Sequence, residues 1–391
     1  MSGPLSGKTV VEFADYVTGP YAAVLLADMG ARVIKIEAPG RGDPFRGWGE
    51  GGYSPTFCSV NRGKESITCD LRRPEGQEVA RALARRADVL IENHRPGVAE
   101  RLGLGYERLR QENPGLVYCS ISGFGQDGPY RDRPGYDTVG QALGGLLSLL
   151  TDWEHPQGMG ISLSDHLAGV FAAYGILGAL VARERTGQGQ RVETSLLQAT
   201  VAFVGENAAR YFADGEVPDR RHRTHTAQVY AFVAGDGLPF VIHLSSPQKF
   251  FAALMQAIGR PELVDDPRFA DRAAREKHYA ELEAILGPVF REAPRVVWLE
   301  RLRAHDVPSA PLNSLEEVFA DPQVRHLGME VTVHHPERGD VRLVNSAVRL
   351  SETAVAVEQA PPVLGEHTDA LLQEAGFDAD AIARLRAEGV V

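Results

Sequence analysis

Three groups of residues have types and spacings that can do chemistry. The first is the turn TGPYAA, Thr18 to Ala23, with Glu37 about 20 residues further on, the layout a dinucleotide site uses for pyrophosphate and ribose. Only Gly19 of the three expected glycines is present and Pro20 follows it, so a nicotinamide cofactor is not expected, and Pro20 reads as a helix starter. Backbone N–H groups near Gly19 remain available to an oxyanion. The second is Asp165 in GISLSDHLAGVFAAYG. Ser162 and Asp165 have the spacing of a capping box, the commoner role for such a pair. The chemical reading is a carboxylate kept ionised by the helix N-terminus, which can act as a nucleophile. The third is a scatter of basic residues beside turns: Lys64 in NRGKES, Arg72 and Arg73 after Asp70, and Arg95 and Arg101 around PGVAE. Singly, each reads as a solvated charge; gathered on one side of a parallel sheet, they would hold phosphates. His334 and His335 lack any ligand spacing, so no metal site is expected.

The elements that must position these residues alternate. TVVEFA reads as a buried strand, Tyr21 to Met29 as a helix stopped by Gly30, and ARVIKIE as a second strand, which together make a β-α-β unit. Helix patterns at 76–86 and 98–112 alternate with the strand candidates VLIE and LVYCS, and a long helix is expected from Asp165 to Glu184 before the strand-like RVETSLL. Alternation of this kind predicts an α/β fold with a parallel sheet. Residues 212–226 read as a polar linker, followed by a second unit of strands (229–233, 240–243) and helices (247–258, 273–290). MEVTVHH and DVRLVNSAVRLS then alternate as antiparallel strands would.

Length and composition bound the function. The 391 residues predict two or three domains, and 43% hydrophobic with 24% charged residues is globular. A formal charge of −11 argues against duplex nucleic acid as a partner. The acidity is uneven: 18 Lys and Arg face 17 Asp and Glu up to Arg133, and 23 face 35 beyond it. The first third is therefore the expected home of a polyanionic ligand. Cys58, Cys69 and Cys119 form no CxxC pair, which fits reduced thiols, and MSGPLSGKTVVEF shows no secretory pattern, so a cytoplasmic location is expected. The weakly polar run Leu167 to Ala182 is shorter than the ~20 residues of a membrane span.

In order along the chain, PLSGKTVVEFADYVTGPYAA, GARVIKIEAPGRGD, NRGKESITCDLRRPEG, ADVLIENHRPGVAERLG, SGFGQDGPYRDRPGYD, the Asp165 segment, RTGQGQRVETSLL, VPSAPLNS and PPVLGEHT resemble the class III CoA-transferases, the family of formyl-CoA transferase. The resemblance implies a large Rossmann-like domain formed by both chain ends (1–210 and 325–391), a smaller α+β domain (225–315), and an interlocked homodimer. It implies that Asp165 is the nucleophile and that Asn93, Arg101, Lys64, Asp70 and Arg72 contact coenzyme A. Val17, Thr18 and Tyr136 would line the catalytic pocket. The substrates would be an acyl-CoA and a small carboxylic acid, with no permanently bound cofactor, metal or membrane. Val17 stands where formyl-CoA transferases have glutamine, Ala38 where they have arginine, and HRTHTAQVYAF lacks their glycine-rich loop; these departures weigh against formate and oxalate.

Two alternatives share the fold. An α-methylacyl-CoA racemase would place a histidine where Tyr136 stands in Pro134-Gly135-Tyr136-Asp137, and a phenol is a poor base near neutral pH. A noncatalytic acyl-CoA binder would not need Asp165. Arg220 to His225 (RRHRTH) reads first as a solvated loop, with recognition of a second substrate carboxylate as the alternative.

Overall fold

The computed structural model describes residues 3–245 and 247–391; Met1 and Ser2, within the start read for a leader, lie outside it. Six strands form one parallel sheet: β1 (Thr9–Phe13), β2 (Arg32–Glu37), β3 (Lys64–Thr68), β4 (Val89–Glu92), β5 (Val117–Ser122) and β6 (Arg191–Ser195). Their spatial order is β3-β2-β1-β4-β5-β6, the doubly wound Rossmann-like order, with its switch point between β1 and β4. The central strands are buried on both faces, as Val, Ile and Leu runs require.

One face is covered by the helix Pro74–Arg85 and by two C-terminal helices, Thr368–Glu374 and Ala379–Ala387, through Val79, Leu83, Leu371, Leu372, Ile382 and Leu385. The other face is covered by Thr18–Asp28 and Leu163–Thr186, through Ala22, Ala23, Leu26, Ala168, Ala172 and Ile176. The small residues there allow close approach: a Cβ added at Gly169 would sit 2.9 Å from the Thr18 carbonyl oxygen. At 24 residues, this long helix exceeds the apolar run read from the sequence and is long and apolar enough to cross a membrane by length and composition alone. Ala168, Ala172, Ile176, Ala179 and Leu180 are nevertheless buried in the protein.

The chain divides into two compact units. Residues 3–147, 158–206 and 322–391 make the first, and 148–157 with 207–321 the second, Ser246 aside. The second unit contains the antiparallel sheet β7 (Val229–Val233), β8 (Pro239–His243) and β9 (Ser309–Pro311) over a core that includes Tyr230, Phe240, Phe251, Leu282 and Trp298. A hairpin, β10 (Glu330–His335) and β11 (Gly339–Val344), belongs to the first unit.

Several elements differ from expectation. The helix expected over 98–112 is two, Val98–Arg101 and Tyr106–Glu112, because Gly103 adopts φ +77° and stops the first. The polar stretch 212–226 is partly helical (Gly205–Asp214 and His222–Thr226). Strand β3 and the helix Arg295–Ala304 were not expected at all.

Candidate active site

The site grows from the C-terminal ends of β1 and β4, where an open parallel sheet binds its ligands. After β1 the chain turns sharply through Tyr16, a non-glycine residue at φ +64°. Asn93, just past β4, holds this turn: its Oδ1 accepts from the Asp15 amide (3.0 Å), while its Nδ2 donates to the Asp15 carbonyl (2.6 Å) and the Thr18 hydroxyl (2.9 Å). Gly19 then starts the helix where a Cβ would lie 2.3 Å from the Ala14 Cβ. Val17 and Thr18 are buried within the turn.

Asp165 lies in the first turn of Leu163–Thr186, one helical turn before Gly169 and its close approach to Thr18. The capping box is absent, because the Ser162 side chain makes no cap hydrogen bond. Asp137, from the helix Asp137–Leu143, takes over instead: its Oδ1 accepts from the Asp165 amide (3.2 Å) and its Oδ2 from Gln141 Nε2 (2.5 Å). Gly140 lets that helix come in, since a Cβ there would lie 3.2 Å from the Ser164 Cβ. Instead of staying low, the Asp165 carboxyl is pushed up to about 7, first by burial and then by the negative charge of Asp137. The helix terminus does not keep it acidic, and its carboxylate oxygens accept no hydrogen bond from the described residues.

Beneath the turn lies a buried charge network. Lys35 Nζ donates to Glu12 Oε1 (2.6 Å) and the Ala14 carbonyl (2.7 Å) and is ion-paired with Asp43 Oδ2 at 2.9 Å. Lys64 Nζ donates to Asn61 Oδ1 (2.9 Å) and the Pro20 carbonyl (3.0 Å) and is ion-paired with Glu12 Oε2 at 2.5 Å. Each ammonium thus makes two hydrogen bonds and a further ion pair inside the network. Burial pulls Lys64 down to about 8, although Glu12 opposes this. Lys64, expected to contact coenzyme A, has no exposed side-chain surface and is engaged by Asn61, the Pro20 carbonyl and Glu12. Glu37 is likewise engaged, by Nε and Nη2 along one edge of the Arg46 guanidinium, the Ser66 hydroxyl and the Asp43 amide, and Arg46 outweighs its burial to hold it below the usual carboxylate range.

A cavity of about 210 Å³ opens between the turn after β1, the loop after β4 and the 131–136 loop. Its wall includes Asp15, Asn93, Arg95, Arg131, Arg133 and Tyr136. Arg101 is adjacent: a Cβ on Gly97 would lie 3.6 Å from its Nη1 and 3.8 Å from Nη2 of Arg131. Tyr136 is exposed and meets Tyr16 edge-on at 6.1 Å. Of the residues expected to contact the ligand, Asn93, Arg95, Arg101 and Tyr136 thus come together. Asp70 and Arg72 sit on the loop after β3, paired with each other at 2.8 Å, and are not among the wall residues. Arg131, Arg133 and Asp137 were missed as ligands or supports. Their signal was the basic run RDR ahead of Pro134-Gly135-Tyr136-Asp137, which reads as a mere turn. A larger cavity, about 320 Å³, lies at the opposite strand ends around Asp28, Arg32, Arg62 and Glu65, whose charges pair among themselves or with Glu374.

Residues 5–368 match the family described as CoA-transferase family III. The chain belongs to that family. It is a CoA-transferase, and such enzymes take CoA thioesters and carboxylates as substrates. Among curated relatives, a succinyl-CoA–D-citramalate CoA-transferase of Chloroflexus aurantiacus is 36% identical over 395 residues, covering 99% of this chain and 98% of the relative. A succinyl-CoA:glutarate CoA-transferase of Mus musculus is 35% identical over 395 residues, covering 99% and 90%. A solved CAIB/BAIF family protein from Brucella suis superposes with a TM-score of 0.86 at 36% identity, covering 96% of this chain and all of that one.

Proposed function

We propose that this CoA-transferase works through covalent intermediates on Asp165. The observation that carries the reading is a carboxylate that accepts no hydrogen bond from the described residues, lies one helical turn before the close approach of Gly169 to Thr18, and titrates near neutrality. Its oxygen attacks the acyl carbonyl of the donor thioester, forming a mixed anhydride and releasing CoA thiolate. The thiolate attacks the aspartyl carbonyl, giving an aspartyl-CoA thioester and the free donor acid. The acceptor carboxylate attacks that thioester, and the thiolate then takes the acceptor's acyl group, so one acceptor oxygen ends in the Asp165 carboxylate. Val17, Thr18, Gly19 and Tyr136 surround the reacting centre in this reading, and amides of the turn stabilise the oxyanions. An unstabilised anion is a better nucleophile than a capped one, which suits an aspartate raised to about 7.

The test is a mass-spectrometric screen of acyl-CoA donors against acids whose carboxylates carry ¹⁸O. Transfer should leave ¹⁸O in the peptide containing Asp165, and hydroxylamine added with acyl-CoA should trap that residue as a hydroxamate. Turnover with no label on Asp165 would refute the covalent route.

Coenzyme A, in the same reading, lies along Asn93, Arg95 and Arg101, with Asp70 and Arg72 at the neighbouring loop. The Arg101 guanidinium then contributes a charge-assisted bond to phosphate. Arg101→Ala should weaken CoA binding about 10–100-fold in calorimetry, the range of one hydrogen bond to a charged group. Unchanged affinity would remove Arg101 from the site.

The assembly in this reading is an interlocked homodimer, working in the reducing cytoplasm that three buried thiols suit. Support comes from large apolar side chains left exposed along one stretch: Val170, Tyr174 and Val181 on Leu163–Thr186, and Val201 and Phe203 on Leu196–Phe203. Dilution should yield no folded monomer in sedimentation, and a reversible monomer–dimer equilibrium would contradict interlocking.

A further inference from the structure

We infer that Asp15 is a specificity-determining residue that accepts a hydrogen bond from a hydroxyl group of the substrate. The inference rests on the CoA-transfer reading above and extends it to a residue that reading leaves idle. Asp15 is anchored through its backbone alone: its amide and carbonyl are both held by Asn93. Its carboxylate lines the 210 Å³ cavity and accepts no hydrogen bond from the described residues. The cation that acts on it most is Lys35, whose ammonium donates to Glu12 and the Ala14 carbonyl, pairs with Asp43 and makes no hydrogen bond to Asp15. Burial pushes the Asp15 carboxyl up to about 6, opposed by Lys35, so it is mostly ionised at neutral pH and serves as an acceptor.

A second group on the same wall has unmet capacity. His94 lines the cavity, its ring is packed on Phe13 at 4.1 Å, and its buried Nε2 has no partner. Burial drops it to about 4, so the imidazole is neutral. A buried polar atom left unpaired costs free energy, and both groups would be satisfied by a ligand that brings its own donor and acceptor. A hydroxyl is both at once. An ammonium would also suit Asp15, but Arg95, Arg131 and Arg133 share the cavity and repel a cation. Those guanidiniums call for an anion beside the hydroxyl.

Two sources offer this chemistry: a hydroxyl on the acceptor acid, and the hydroxyl of the pantetheine arm of CoA. The test compares wild type with Asp15→Asn and Asp15→Ser, each checked for unaltered melting, in two assays. One measures kcat/KM for acceptor pairs that differ by one hydroxyl, succinate against malate and glutarate against 2-hydroxyglutarate. The other measures the Kd of CoA by calorimetry. If the hydroxyl belongs to the acid, the variants lose the preference for the hydroxylated member about 10–100-fold while CoA affinity holds. If it belongs to CoA, CoA affinity falls by that factor and the ratio between acids holds. Both quantities staying within about twofold of wild type in both variants overturns the inference. A wild type that moves CoA to none of these acids would count against the CoA-transfer reading instead, and the calorimetric arm would still report on Asp15.

Discussion

Asp165→Asn is expected to fold and to lose CoA transfer by at least ~10³-fold, because removal of a covalent nucleophile leaves only binding and oxyanion stabilisation. The folded protein should tolerate the change well. The Asp165 carboxylate takes no hydrogen bond from the described residues, and the hydrogen bond from its backbone amide to Asp137 is independent of the side chain. The wild-type pH profile carries the same signature. Since the carboxyl is raised from 3.8 to about 7 by burial and by Asp137, the nucleophilic form accumulates only as pH passes about 7, and kcat/KM should rise with pH through that value. Stability should move the opposite way. A carboxyl that holds its proton more tightly when folded stabilises the protein below its unfolded value and ceases to do so as pH climbs from about 4 to about 7. Wild type should therefore lose stability relative to Asp165→Asn across that window. A variant with more than a tenth of wild-type turnover, or a flat difference in stability, would remove Asp165 from the chemistry.

The second large effect is structural. Lys35→Met keeps the volume but removes the cation shared by Glu12 and Asp43, leaving the buried Asp43 carboxylate without its cation, the Ala14 carbonyl without its donor and Glu12 with Lys64 alone. Breaking a buried pair on one side costs about 3–5 kcal/mol. Denaturant unfolding should show a loss of that size, and the loss should shrink when Asp43→Asn is added, since the stranded charge is then gone. A cost under about 1 kcal/mol would mean that water reaches this network.

How much of this was readable in the sequence depends on which physical signal each element carries. β1, β2, β4 and β5 are short apolar runs between turn residues, and burial on both faces produces just that pattern. β3 reads KESIT, and its charged start hides a strand whose lysine is buried among partners from distant parts of the chain. The pairing of Lys64 with Glu12 is hidden for the same reason: a sequence shows a basic residue but not the acid 52 positions away that meets it. Asp165 was legible as a helix-start acid, yet its raised carboxyl was not, because that depends first on its burial and then on Asp137, 28 residues away. Asp15 carries no signal of its own in the sequence. That its backbone is held by Asn93 while its carboxylate takes no hydrogen bond from the described residues is visible only in the packed structure.

The covering of the sheet has a consequence for synthesis. All six strands of the large sheet are complete by Ser195, but one face waits for Leu371, Leu372, Ile382 and Leu385, near the other end of the chain. At ribosomal speeds of about 5–20 residues per second, that face stays bare for roughly 10–40 s after its last strand has been made. A nascent chain in that interval presents Val79, Leu83 and Leu90 to the cytosol, a surface to which chaperones bind and at which two growing copies can associate. Clipping the chain before Thr368 would make that transient condition permanent, so such truncations should go to inclusion bodies even though every strand and every residue of the site is present.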